Sequence, residues 1–198
     1  MADLAAILLA AGASQRFGVD NKLLADIGGR PLVRGVVDEI QESGVADVTV
    51  VTGCEAPLIE DALAGLAVTF VHNAGWQGGM GSSIASGVTA LGNRYAGAFI
   101  VPGDMPYLKA DLFRTLARAF HSRDAQMIVY PALPDGAQRN PVLWPLRFFS
   151  ALAALEGPQG GRLLLQSLKT ECVAETVEDA RLFADIDTPA ELNAARQT

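Results

Sequence analysis

Cysteine and histidine are scarce: the chain of 198 residues carries two of each. Cys54 and Cys172 lie far apart and form no C-x-x-C pattern. That excludes a zinc ribbon or a disulfide framework and points to free thiols in a reducing compartment. His72 ends an apolar run, and His121 ends a helical segment where a positive charge suits the helix terminus. Neither has a Ser or Cys partner in a pattern that would suggest a nucleophilic triad. Positive charge is also short, since 15 Lys and Arg stand against 22 Asp and Glu, a net charge of −7. This argues against nucleic acid or an anionic membrane surface as partner, because either needs a dominant basic face. No apolar run approaches the ~20 residues of a membrane span. The apolar start has Asp3 where a signal peptide would be basic, and Gly12 breaks it soon after. The cytoplasm is the expected location.

What is present is apolar and regular. Half of the residues are hydrophobic, enough for one good core and too few residues for two, so one domain over 1–198 is expected. Apolar runs of strand length (Leu4–Ala10, Asp47–Thr52, Ala67–Val71, Gly97–Val101, Gln126–Tyr130) alternate with helix-period segments (Leu32–Glu42, Ala56–Ala64, Ser82–Leu91, Ala110–His121). This order predicts an α/β fold with a mostly parallel sheet, right-handed crossovers and helices on both faces. After Pro131 the alternation weakens. The Pro-rich stretch 131–144 reads as a surface excursion with a hairpin-like element ending in a short strand at Val142–Trp144. Helices near 145–155 and 160–168, a strand near Cys172–Val177 and a last helix from Pro189 complete the expectation. In such sheets ligands bind beyond the carboxyl ends of the strands, so the loops there are the places to search.

The loop after the first strand runs Gly12-Ala13-Ser14-Gln15-Arg16-Phe17-Gly18, with Lys22 beyond. It matches neither Walker A, which needs Lys-Ser/Thr after the second glycine, nor G-x-G-x-x-G. Between Gly12 and Arg34 stand four basic and two acidic residues, a local cationic patch in an acidic protein. Backbone N–H groups of such a loop can wrap phosphates, with Arg16 and Lys22 stabilising charge in phosphoryl or nucleotidyl transfer. After the fourth strand, Pro102-Gly103-Asp104-Met105-Pro106 points a carboxylate into the same crevice, where it suits Mg²⁺. Capping of the next helix explains Asp104 less well, because that helix starts only near Ala110. Asn73–Ser83 contributes Gly75, Gly78, Gly79 and Gly81, with Ser82 or Ser83 expected at a helix N-cap and Asn73 able to read a base edge. In "DIDTPAEL" (185–192), Thr188 and Pro189 are an ordinary helix start. Asp185 and Asp187 are left over, one of them a candidate second metal ligand. Trp144 reads as core, while Trp76 could stack on a ring or fill the core.

Taken together, LAAGASQRFGVDNKLL (9–24), N-x-x-W-x-x-G-M-G-S-S from Asn73, PGDMP (102–106), RNPVLW (139–144) and DIDTPAEL (185–192) resemble the nucleotidyltransferases of the molybdenum-cofactor type. The resemblance spans nearly the whole chain and implies a three-layer Rossmann-like nucleotidyltransferase fold. It divides the chain into a nucleotide-binding part (1–130) and an acceptor-binding excursion with C-terminal elements (131–198). It implies nucleotide contacts at Leu9, Ala10, Ala11, Gly12, Ser14, Arg16, Lys22, Asn73, Gly81 and Ser82, catalytic roles for Lys22, Arg16 and Asp104, and metal ligation by Asp104 and Asp187. Asn140 and Arg162 would meet the acceptor. The guanylyl-transferring branch resembles L-A-G-G where this chain has Leu9-Ala10-Ala11-Gly12; a methyl group there narrows the base site and favours a pyrimidine. The expected reaction joins CMP from CTP to the phosphate of molybdopterin with Mg²⁺, the product passing to a molybdenum hydroxylase. One departure concerns the acceptor. The family often has Gly-Asp-x-Gly-Ala-Arg where this chain reads Gly157-Pro158-Gln159-Gly160-Gly161-Arg162, so the acidic residue is missing. Alternatives are a transferase of the same fold using GTP or acting on a sugar or polyol phosphate, and a non-catalytic cofactor carrier, which would have no need of triphosphate and metal groups.

Overall fold

In the computed structural model, residues 1, 3–14 and 21–196 are described. The chain begins with β1 (Leu4–Ala10), whose side chains alternate between two buried faces. A small hairpin, β2 (Asp26–Ile27) and β3 (Arg30–Pro31), follows, and then α1 (Leu32–Glu42). Gly28 and Gly29 make the hairpin turn with φ of 63° and 85°, a Gly-Gly signal that was present in the sequence. Next come β4 (Asp47–Thr52), α2 (Ala56–Ala62), β5 (Thr69–His72), α3 (Met80–Leu91), β6 (Gly97–Pro102) and α4 (Ala110–His121). The final third holds β7 (Ile128–Ala132), β8 (Val142–Pro145), α5 (Phe149–Ala153), α6 (Arg162–Ser167), β9 (Cys172–Thr176) and α7 (Pro189–Ala195).

Seven strands form one sheet in the order β5-β4-β1-β6-β8-β7-β9. β1 runs parallel to β4 and β6, and β4 to β5, while β8 is antiparallel to β6 and β7. Alternation along β1 sorts the layers. Leu4, Ala6, Leu8 and Ala10 face a core shared with α1, α4 and α7, whereas Ala5 and Ile7 face α3 and α5. This is the expected three-layer α/β architecture, with a Rossmann-like sheet. Phe99 of β6 meets Phe113 of α4 edge-on at 5.2 Å between ring centroids; truncating either to Ala would cost about 3–5 kcal/mol. Among the described residues, no helix is long and apolar enough to cross a membrane.

β1, β4, α1 and α4 occupy the segments expected, and β5 and β7 sit about two residues later than expected. The larger difference is β8. Read as part of a surface excursion, it is instead buried along its whole length between β6 and β7. Its four apolar side chains need both faces covered, and β6 offers it an open edge opposite β1. Trp144 is 2% exposed, edge-on to Phe148, and belongs to the core. The stretch read as a helix over 145–155 is shorter, a 3-10 turn at Leu146–Phe148 followed by α5.

Candidate active site

The carboxyl ends of β1, β4 and β6 converge through backbone hydrogen bonds. The Gly103 N–H donates to the Leu9 carbonyl and the Cys54 N–H to the Ala11 carbonyl, both at 3.0 Å. Above them opens a cavity of about 740 Å³, within the range of small-molecule sites. Leu9, Ala11, Gly12, Ala13, Ser14 and Lys22 form one wall. A second wall holds Trp76, Gln77, Gly79, Met80 and Ser83, and Asp104, Asp187 and Pro158 close the rest.

Lys22 occupies the polar end. Its Nζ donates to Asp104 Oδ2 at 2.7 Å and to Asp187 Oδ1 at 2.6 Å. Local chemistry aims it. Asn21 caps the 3-10 turn Lys22–Leu24 by accepting from the Leu23 N–H, and the Ser14 hydroxyl donates to Asn21 while accepting from the Lys22 N–H. The two ends of the 14–22 loop are thereby pinned together. Asp104 follows β6 in a turn whose carbonyl accepts from the Ile186 N–H at 3.1 Å. Ile186 is 1% exposed. As that side chain goes inward, its neighbours Asp185 and Asp187 are turned to the other side, where their carboxylate oxygens and one of Asp104 all lie within 4.8 Å of one another.

Burial pulls the Lys22 ammonium towards deprotonation, but the carboxylates of Asp104 and Asp187 outweigh it and hold its pKa above the usual lysine value. Three carboxylates against one ammonium leave a formal charge of −2. A hard divalent cation suits such an all-oxygen donor set, Mg²⁺ or Mn²⁺ alike. Asp185 is the addition to the candidate metal group: the spacing D-I-D allowed either aspartate, and the geometry gathers both.

The glycine-rich loop is built differently from the expectation. The helix begins at Met80, with Gly79 at the N-cap and φ of 98°, so neither serine is the cap. Ser82 lies inside the first turn, where its hydroxyl donates to the Gly79 and Gly75 carbonyls. Asn73 is 5% exposed; its amide donates to the Ser82 and Ser83 hydroxyls and its oxygen accepts from the Gly75 N–H. With those atoms engaged, Asn73 shapes the loop and does not border the cavity. Gly81 also faces away from the cavity. A Cβ there would lie 2.6 Å from the Glu156 backbone, and one on Gly79 would lie 2.7 Å from Gly157. These glycines permit the loop to lock against residues 156–158, where the Gly157 carbonyl accepts from the Gly81 N–H at 2.9 Å.

Of the residues singled out from sequence, the structure brings Leu9, Ala11, Gly12, Ser14, Lys22, Asp104 and Asp187 to one cavity. Ala10 is fully buried in β1. Asn140 and Arg162 are exposed and do not line the cavity. Arg16 lies outside the described residues. Sequence reasoning missed Gln77, Met80, Ser83 and Pro158 as lining residues; position next to the glycines was their only signal.

A MobA-like NTP transferase domain model matches residues 6–173. Among curated relatives, "Bifunctional protein GlmU" of Sphingopyxis alaskensis is 32% identical over 127 residues, covering 64% of this chain and 28% of that protein. The chain thus spans under a third of the length of the GlmU relatives it matches. "Molybdenum cofactor guanylyltransferase" of Shewanella sp. strain ANA-3 is 26% identical over 188 residues, 93% of this chain and 90% of that one. Among solved structures, Rv0371c of Mycobacterium tuberculosis H37Rv, in complex with manganese, superposes with a TM-score of 0.82 at 20% identity, covering 99% of both chains. The family match over most of the sequence, on a sheet whose strand ends gather a glycine loop, a lysine and three carboxylates, establishes that the chain belongs to the MobA-like NTP transferase domain family of nucleotidyltransferases.

Proposed function

We propose that the chain transfers CMP from CTP to the phosphate of molybdopterin, with Mg²⁺, giving molybdopterin cytosine dinucleotide and pyrophosphate. The observation that supports this most is Lys22 held between Asp104 and Asp187 beside the Gly12 loop, a cation and a metal-type carboxylate set at one end of a nucleotide-sized cavity. In the reaction an oxygen of the acceptor phosphate forms a bond to the α-phosphorus, and the bond from that phosphorus to the bridging oxygen breaks. Pyrophosphate leaves with the electron pair. The acceptor is already anionic at neutral pH, so no general base has to take a proton. Backbone N–H groups from Gly12 to Ser14 bind phosphate oxygens, and Lys22 and Arg16 stabilise the charge that gathers on them. Asp104 and Asp187, with Asp185 beside them, would hold a divalent ion, which would supply electrophilic stabilisation of phosphate charge. Rate then comes from in-line positioning and charge stabilisation.

In this reading residues 1–130 bind the nucleotide, and 131–198 serve the acceptor, with Asn140 and Arg162 on the approach; Pro158 on the cavity wall supports a contribution from this part. The finished cofactor passes to a molybdenum hydroxylase. Ala11, 5% exposed at the cavity wall, supports a pyrimidine because its methyl group narrows the base site. The guanylyltransferase relative favours a second reading, GTP as donor. Pyrophosphate release measured with molybdopterin and each nucleotide separates them. Faster release from CTP supports the first reading and faster release from GTP the second, and no release from either overturns both.

A further inference from the structure

Among the described residues that border the cavity, Trp76 is the one large aromatic side chain. Its placement depends on a glycine of another strand end. A Cβ on Gly53 would lie 2.7 Å from Trp76 Cβ, 2.8 Å from Trp76 Cγ and 2.8 Å from the Ala11 carbonyl oxygen. The missing side chain is what lets the indole approach the backbone of Ala11. Trp76 packs against the core cluster that contains Ala11, Val51 and Ile84, while remaining partly exposed towards the cavity. Its backbone is tied down as well: the Trp76 N–H donates to the carbonyl of buried Asn73 and the Gly79 N–H to the Trp76 carbonyl. An anchored indole with an accessible flank, beside an exposed amide (Gln77) and a 47%-exposed thioether (Met80), is a platform for a flat polar ring.

We infer that Trp76 stacks on the nucleotide base and is a specificity-determining residue. The inference deepens the nucleotidyl-transfer reading and rests on it. The base is favoured over a ring of the acceptor because Trp76 meets the chain at Ala11, one residue before the Gly12 backbone that takes the phosphates in that reading. The base site is then bounded on one side by the Ala11 methyl group and on another by the indole. Gln77, whose amide offers both a donor and an acceptor, lines the same cavity.

The test uses the full chain with Mg²⁺ and titrates CTP, GTP and inorganic tripolyphosphate into wild type, Trp76→Ala and Trp76→Phe by calorimetry. Loss of base stacking should weaken the preferred nucleotide about tenfold or more in Trp76→Ala, leave tripolyphosphate affinity unchanged, and be largely restored in Trp76→Phe. Nucleotide should also quench the fluorescence of the wild type. That quench should vanish in Trp76→Phe, whose remaining tryptophan, Trp144, is buried. Equal losses for nucleotide and tripolyphosphate, an unaltered nucleotide affinity, or no fluorescence response in the wild type at nucleotide saturation would each overturn the inference. A wild type that binds neither nucleotide would instead overturn the nucleotidyl-transfer reading beneath it.

Discussion

Two glycine-bearing loops wall the cavity, and similar composition serves opposite ends in them. Around Gly12 the glycine is open: a Cβ there would meet nothing within 4 Å. The work of holding the described ends of that loop falls to polar side chains, with Ser14 and Asn21 joining them and Lys22 tied to carboxylates 82 and 165 positions away. In the loop from Asn73 to Ser83, Gly79 and Gly81 are filled against the backbone of 156–158. Here the absence of a side chain is a packing requirement. An open glycine leaves room for a ligand, whereas a filled one leaves room for another part of the chain.

The largest effect expected from breaking this contrast is at Lys22. Lys22→Ala should reduce pyrophosphate release on the order of 10²–10³-fold, as loss of one charge-stabilising group does, while circular dichroism shows the fold retained. Near-normal turnover would remove the Gly12 loop from the chemistry. Gly81→Ala comes next and acts on stability. Its methyl group would press on the Glu156 backbone, at a cost of about 1–3 kcal/mol. In a chain of this size ~2 kcal/mol lowers Tm by about 4–8 °C, measurable by calorimetry. Asn73→Ala should cost about 1–2 kcal/mol, since it removes the partners of a buried hydrogen-bond set. It should also loosen the loop to proteolysis near Gly75. Gly12→Ala should be smallest for the fold, within about 0.5 kcal/mol in a denaturant titration, yet raise KM for the nucleotide because the methyl group enters the cavity. A large drop in Tm for Gly12→Ala and none for Gly81→Ala would reverse the contrast.

Much of the fold was legible because its inner strands β1, β4 and β6 are buried on both faces. A run such as Leu4–Ala10 can only be central, and helical periods between such runs imply crossovers. β8 lies where a strand was expected, but its burial was not foreseen, because four residues after a Pro-rich stretch carry no periodicity and that burial depends on an edge of β6 that a linear pattern does not display. Asp104 could be named because it comes two residues after β6, and Lys22 because it is a cation just beyond the glycine-bearing loop that follows β1. Trp76 could not be decided, since both a core role and a ring-stacking role need the same apolar surface. Asn73 was misread because its polar atoms are engaged by serines nine and ten residues on, and residue type alone does not tell an engaged amide from an available one.

By itself, then, the sequence determined the layered parallel architecture, the loops that carry chemistry and the Thr188 capping box that starts α7. Those features rest on neighbours within a few residues, and periodicity and capping are local. Tertiary structure alone decided that Asp104, Asp185, Asp187 and Lys22 form one charged cluster, and that the Trp76 indole lies against Ala11. Both depend on long-range packing. The buried Ile186, hydrogen-bonded to the Asp104 carbonyl, turns a C-terminal pair of carboxylates into the site, and a missing Cβ at Gly53 opens the space in which the indole meets the first strand's end.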